Sequence, residues 1–300
     1  MLEWKRIGNY ETVIYEKEAG GQICRITLNK PERRNAFFFM DPWSQDMREL
    51  DEVFDNAAED DQLKVLIFTG AEGNFCAGED LVVVGEQYGE DFAKKAGTKR
   101  SIRRSRRVDV KAFKFLDKLM WHPCITIAAV QGRVIGVGSD LVLSCDLAIA
   151  ADNTKLSFVE EAIIGGGMCF PLRMWHMGPK RFRELAYTGR SLVAEEAKDW
   201  GIFNSVVSLG EFEGEVERWA KVCSLMPSDL IAYGKAVSQL SFNQLGYGGQ
   251  PDLIAVSHMM ALNQHYQPGE WSLFKERRDK GLTKAVHERN KRYEELGFKI

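Results

Sequence analysis

Two glycine-punctuated turns carry most of the chemistry that can be read from this chain. The longer one lies in CITIAAVQGRVIGVGSDLVLSCDLAIAAD, residues 124–152, where an apolar run meets glycines at 132, 136 and 138. A short apolar stretch and a second run ending at Asp152 follow. A dinucleotide fingerprint would use Gly136 and Gly138 to cradle pyrophosphate and Asp152 to hold the ribose. Three details argue against it. Leu141 stands where the third glycine should fall, and Gly136 comes six residues after Val130. Ser139 to Cys145 leaves room for about two helical turns, too short for a crossover. What remains is a glycine-bounded turn opening a helix. Its outward N–H groups, with the positive end of the helix dipole behind them, suit a negatively charged oxygen, including one that develops only during reaction. Glycine serves a tight packing turn equally well. A second turn of the same kind, NFCAGEDL at 74–81, follows the apolar run Leu63 to Thr69. Two such turns can each give one N–H to a shared oxygen, which is what an enolate formed from a thioester requires.

The elements that must hold these turns read as α/β. Strand-like runs fall at Thr12 to Tyr15, Ile23 to Leu28, Leu63 to Thr69, Cys124 to Val130, Leu147 to Ala150 and Phe203 to Val207. The later runs are nearly all apolar, as strands covered on both faces are. Between the second and third, Met47, Leu50, Phe54 and Ala57 recur at helical spacing, with Asp41 placed to cap the helix and Pro42 in its first turn. From about Glu211 the β signal fades. Helical segments are expected near 211–225, 228–240 and 251–266, then a charged tail from Trp271 that must dock on the core or on another subunit. The chain therefore divides into a core at 1–208 and a C-terminal helical region at 209–300.

Taken together, three segments resemble the crotonase superfamily, the enoyl-CoA hydratase and isomerase family. They are ITLNKPERRNAF at 26–37, VLIFTGAEGNFCAGEDL at 65–81 and ITIAAVQGRVIGVGSDLVLSCDLAIAADNTKLSFVEEAIIGGG at 125–167, and the likeness runs from about Glu11 to Val207. The resemblance implies an α/β fold, a crotonase-like spiral of ββα turns with a C-terminal helical region for docking and oligomerisation. It implies a homotrimer or dimer of trimers, and an acyl-CoA ligand that brings coenzyme A as part of the substrate, with no separate cofactor. By position it places the oxyanion-holding N–H groups on Glu79 and Val137. Many relatives have glycine where Val137 stands, but the backbone donates whatever the side chain. The two acid/base positions fall on Asp140 and Glu161. Hydratases of the family carry glutamate at both. Dienoyl-CoA isomerases resemble this chain in the aspartate but have an acid where Cys169 stands here.

Hydrating an enoyl thioester needs water at the β carbon and a proton at the α carbon, so two carboxyl groups, one ionised and one able to give a proton, suffice. Isomerisation needs one base beside a stabilised enolate. Asp140 is a methylene shorter than glutamate, so Glu161 must do most of the work unless the pocket compensates. An acid in a helix's first turn is also favoured by the dipole alone. Glu160 reads as a surface charge, because in extended chain neighbouring side chains point opposite ways and only one can enter a pocket.

Contacts to coenzyme A are expected from Arg34, Ala36 and Ala77, and from Phe274 and Lys275, where relatives contribute from a neighbouring subunit. Each is also an ordinary surface type. Phe37, Phe38, Trp121, Met168 and Phe170 are candidates for the acyl pocket or simply for the core. Between 94 and 114 ten Lys and Arg face the single acid Asp109. That run is either a solvated helix face or a site for phosphates of a nucleotide or RNA. The five histidines show no metal spacing, and no GxSxG elbow is present.

Composition narrows the classes further. With 300 residues, 45% hydrophobic and 28% charged, the chain buries a sizeable core and is not disordered. Lys+Arg 40 against Asp+Glu 43 leaves −3, which gives no general attraction to nucleic acid or membrane. Six scattered cysteines without a CxxC pair point to reduced thiols in a cytoplasmic protein. The opening MLEWKRIGNYETVIYE has no apolar signal core. The reading that unites these features is an acyl-CoA enzyme that adds or removes water across an enoyl double bond. The alternatives are a double-bond isomerase, a hydrolase or retro-aldol lyase, which the bulky Met168-Cys169-Phe170 would suit, and a non-catalytic CoA- or RNA-binding relative.

Overall fold

The computed structural model of the chain describes residues 1–83, 102–164, 170–261 and 266–298. In chain order its strands are β1 (Trp4–Arg6), β2 (Val13–Glu18), β3 (Ile23–Leu28), β4 (Val65–Gly70), β5 (Ile125–Val130), β6 (Arg133–Ile135), β7 (Leu147–Ala151), β8 (Lys155–Ser157), β9 (Leu192–Val193) and β10 (Ser205–Val207). The main sheet has the order β1-β2-β3-β4-β5-β7-β10, antiparallel at β1, β2 and β3 and parallel from β3 to β10. A small second sheet has the order β6-β8-β9. All six expected strands are present. The additional β1, β6, β8 and β9 are three residues or fewer, too short for alternation to register in sequence.

Period-two alternation sends the side chains of the sheet to two different cores. Cys24, Ile26, Leu28, Leu66, Phe68, Ala128, Val130, Ala148 and Ala150 join the larger one, with Met47, Leu50 and Phe54 of α1 (Gln45–Ala58). Ile23, Val65, Ile67, Ile127, Ala129, Ile149 and Ala151 face the other way, against Phe212, Val216 and Ala220. Coverage on both faces explains the continuous apolar runs. The cap of α1 is Ser44, whose hydroxyl accepts from the N–H of Met47 at 3.3 Å, and not Asp41. Asp41 and Pro42 lie in the preceding turn, where the Asp41 carboxylate accepts from the N–H of Trp43 and its carbonyl from that of Ser44.

The remaining helices are α2 (Ile102–Met120), α3 (Val137–Ser144), α4 (Val159–Ile164), α5 (Phe170–Thr188), α6 (Ala194–Asp199), α7 (Phe212–Ser224), α8 (Ser228–Gln244), α9 (Gln250–Ala261), α10 (Leu273–Lys280) and α11 (Leu282–Glu294). Non-helical backbone at Gly178, just before Pro179, breaks α5. The charged tail docks on this chain's own core through α11, where Ala285 and Arg289 are buried. No helix among the described residues is long and apolar enough to cross a membrane.

Candidate active site

The two glycine turns are zipped together. The N–H of Cys76 donates to the carbonyl of Arg133 at 3.1 Å, and that of Ile135 to the carbonyl of Cys76 at 3.0 Å. Glycine is required at both contact points. A Cβ on Gly138 would lie 2.5 Å from the carbonyl oxygen of Cys76, and one on Gly78 would lie 2.5 Å from that of Ile135. Gly136, at φ 58°, caps α3 and donates its N–H to Ser157 of β8 at 2.9 Å. This bond draws the start of α4 beside the turn.

Neither the N–H of Glu79 nor that of Val137 has a partner among the described residues. Val137 opens α3, so its amide has no carbonyl one turn back to donate to. Glu79 forms a bridge with Phe37, whose N–H bonds to Gly78 and whose carbonyl accepts from Asp80, leaving the Glu79 amide over. Its carboxylate oxygens are buried and face the amides of Phe39 and Met40 without reaching hydrogen-bond geometry. Burial pushes this carboxyl up to about 8; the two amides oppose the rise, and the charges of Asp80 and Asp46 add to it. Lys30 binds Asp46 at 2.7 Å and approaches Asp80 at 3.8 Å, pinning the loop from behind.

Asp140 lies in the first turn of α3 with no solvent exposure. Both its oxygens accept from Arg173 of α5, Oδ1 from Nε and Oδ2 from Nη2, each at 2.8 Å. Arg173 Nη2 also donates to Glu160 Oε1 at 2.6 Å, and its guanidinium stacks 4.5 Å above the ring of Phe158. Burial raises the Asp140 carboxyl to about 6 against the pull of Arg173, so it remains ionised at neutral pH.

Glu160 is not the surface charge expected of it. Residues 159–164 are helical, so the premise of extended chain fails. Glu160 is half-buried, with one oxygen on Arg173. The other, Oε2, is buried without a partner, and a Cβ on Gly136 would lie 3.2 Å from it. Glu161 occupies α4, and its side chain lies outside the described residues.

Among the remaining candidates, Arg34, Ala36 and Ala77 come together. Arg34 (φ 52°) and Asn35 (φ 55°) turn the chain, and the Arg34 carbonyl accepts from Ala77 at 3.0 Å. The fully buried Asn35 ties this turn to the first glycine loop by donating to the carbonyls of Ala71 and Asn74. Phe37 and Phe38 are core side chains beside it. Trp121 stands elsewhere, ringed by Phe242 and Tyr247 at 5.8 and 5.9 Å, with its indole N–H on Asp117. Met168 lies outside the described residues, as do the side chains of Phe170 and Phe274; Lys275 is exposed on α10. The basic run at 94–114 is described from Ile102 onward. There Arg106 pairs with Asp252 at 2.8 Å, while Arg107 and Lys111 lie over the ring of Trp43. Sequence reasoning missed Arg173. Its signal was a lone cation, in FPLRMW, at the start of a helix with buried Leu172 beside it.

The joined turns thus leave two amides without partners and bring a carboxylate with one unpartnered oxygen beside Gly136. The family model described as enoyl-CoA hydratase/isomerase matches residues 18–246. Among solved structures, an enoyl-CoA hydratase/isomerase from Xanthobacter autotrophicus Py2 is 28% identical at a TM-score of 0.72, covering 95% of this chain and 99% of its own. A probable enoyl-CoA hydratase from Mycobacterium thermoresistibile is 27% identical at 0.69, covering 84% and 98%. An enoyl-CoA hydratase from Mycobacterium smegmatis, 22% identical, shares the fold at 0.79 and covers 94% of each chain.

Proposed function

We propose that this chain, which belongs to the enoyl-CoA hydratase/isomerase family, adds water to an enoyl-CoA thioester and removes it in reverse, with Glu160 as the acid/base. The observation that carries the assignment is the buried, unpartnered Oε2 of Glu160 against Gly136. The thioester oxygen sits between the amides of Glu79 and Val137, which stabilise the negative charge that develops there. Glu160 takes a proton from water as the oxygen adds to the β carbon, then returns that proton to the α carbon of the enolate. Asp140 acts through Arg173 as a positioning residue, holding the guanidinium that fixes the other oxygen of Glu160.

A second reading rests on that same lock. With both Asp140 oxygens on Arg173, one carboxylate is free to move protons, and one suffices to shift a double bond. Loss of the conjugated thioester's absorbance with the mass of one water gained supports hydration. A shifted double bond at unchanged mass supports isomerisation. Glu160→Gln is expected to lower kcat by roughly 10²–10⁴-fold with KM little changed. Full activity in Glu160→Gln together with its loss in Glu161→Gln would move the role to Glu161.

A further inference from the structure

A cavity of about 290 Å³, lined by Ala162, Trp271, Arg289, Arg292, Tyr293 and Leu296, lies where α4 meets the docked tail. Ala162 is two residues beyond Glu160, about 200° around the helix, so this cavity is on the far face of α4 from the carboxylate at the glycine turns. Its floor is Arg289, 3% exposed. Gly189 makes the room: a Cβ there would lie 2.4 Å from Arg289 Nη2.

Among the described residues Arg289 has no counter-charge. Nη1 donates to the Asn290 amide oxygen at 3.2 Å, the guanidinium lies 5.2 Å from the Tyr293 ring, and Nη2 has no partner. Among the described residues it forms no ion pair; Glu288 of α11 and Glu295 just past its end pair with Lys280 and Lys291. Burial lowers its pKa from the ordinary arginine value, and Tyr293 opposes the fall without cancelling it. A second buried donor, the indole Nε1 of Trp271, is also unpartnered. Two buried donor atoms without an acceptor, Arg289 Nη2 and Trp271 Nε1, suit an anionic ligand.

We infer that this cavity binds a carboxylate carried on a small apolar body. The fork of Arg289 matches a carboxylate in two parallel hydrogen bonds, with Trp271 N–H as a third donor. The space far exceeds a bare inorganic ion, and the rings of Trp271 and Tyr293 with Ala162 and Leu296 give the body its apolar walls.

The test is titration of the full chain, without any thioester, by calorimetry and by the indole N–H resonance of Trp271, assigned by its loss in Trp271→Phe. Benzoate is the carboxylate probe, benzamide its neutral counterpart and inorganic phosphate the apolar-free anion. The expected result is that benzoate binds and moves the Trp271 resonance, while benzamide and phosphate bind at least tenfold more weakly. Arg289→Met should abolish benzoate binding with no loss of melting temperature, because it removes an uncompensated buried charge. Trp271→Phe keeps the ring and should weaken binding by roughly tenfold. Phosphate binding as tight as benzoate, no benzoate binding at millimolar concentration, or benzoate binding untouched by both variants would each overturn the inference. None of these outcomes bears on the proposed hydration, which is read by turnover.

Discussion

Arg173 and Arg289 approach the short helix α4 from opposite sides, both buried, one against Glu160 and the other beneath Ala162. Arg173 is compensated by two carboxylates, with three of its hydrogen bonds running to Asp140 and Glu160. Among the described residues Arg289 has an amide oxygen and a ring face, and no carboxylate. A buried cation costs several kcal/mol unless it is paired, so the first is part of the fold and the second is a cost kept for something else. Burial alone does not say what a charge is for; its partners do.

Removing each guanidinium in turn should have unequal effects. Arg173→Met leaves buried Asp140 and half-buried Glu160 side by side without a counter-charge and should cost about 3–5 kcal/mol in urea unfolding. Arg289→Met should cost nothing measurable. Equal losses would mean that both arginines are structural. Adding Asp140→Asn to Arg173→Met should recover part of the first loss, because one of the stranded charges is gone.

Glu79 extends the comparison to an acid. Its carboxyl, raised to about 8 by burial, keeps its proton in the native protein over a range where the unfolded chain has lost it. The native state therefore holds more protons between about pH 4.5 and 8. Stability from this group is fully present below pH 4.5 and is lost as pH rises through 8. Thermal unfolding at several pH values should show that slope, and Glu79→Gln should flatten it. An ionised carboxylate on the residue whose amide faces the thioester oxygen would also oppose the charge developing there. So kcat/KM should fall above about pH 8 in the native chain and hold steady in Glu79→Gln.

The zipped turns give a smaller, local effect. Gly138→Ala places a Cβ 2.5 Å from the Cys76 carbonyl and must part the two loops, costing roughly 1–3 kcal/mol. Because the amides of Glu79 and Val137 separate with them, kcat/KM should fall by about 10²-fold or more. Gly214→Ala, on an exposed position of α7 with nothing within 4 Å, should instead gain roughly 0.5–1 kcal/mol.

Much of this was legible in sequence wherever a pattern repeats. The six core strands announced themselves because covered strands must be apolar, and the glycines at 78 and 138 because backbone approaches backbone there. What was not legible depends on contacts between distant segments. Nothing near Asp140 tells that Arg173, 33 residues on, takes both its oxygens. Nothing in LSFVEEA tells that the chain turns helical at Val159, which is what brings Glu160 to the glycine turn. The cap of α1 was misplaced for a smaller reason. Asp41 and Ser44 are both capping types, and only the turn through Pro42 decides between them.

The finest division lies within the cavity of Arg289 itself. Arg292 shares that lining but is exposed, one turn along α11. A charge at the rim is screened and mainly speeds encounter, whereas one on the floor is desolvated and holds the ligand. Arg292→Gln should therefore weaken benzoate binding only about two- to threefold, mostly through a slower on-rate. That difference should vanish at 1 M salt, where the screening length shrinks to about 3 Å. Stopped-flow titration at two salt concentrations separates the cases. If Arg292→Gln weakened binding as much as Arg289→Met did, the anion would be held at the mouth, and the buried, unpaired guanidinium would need another explanation.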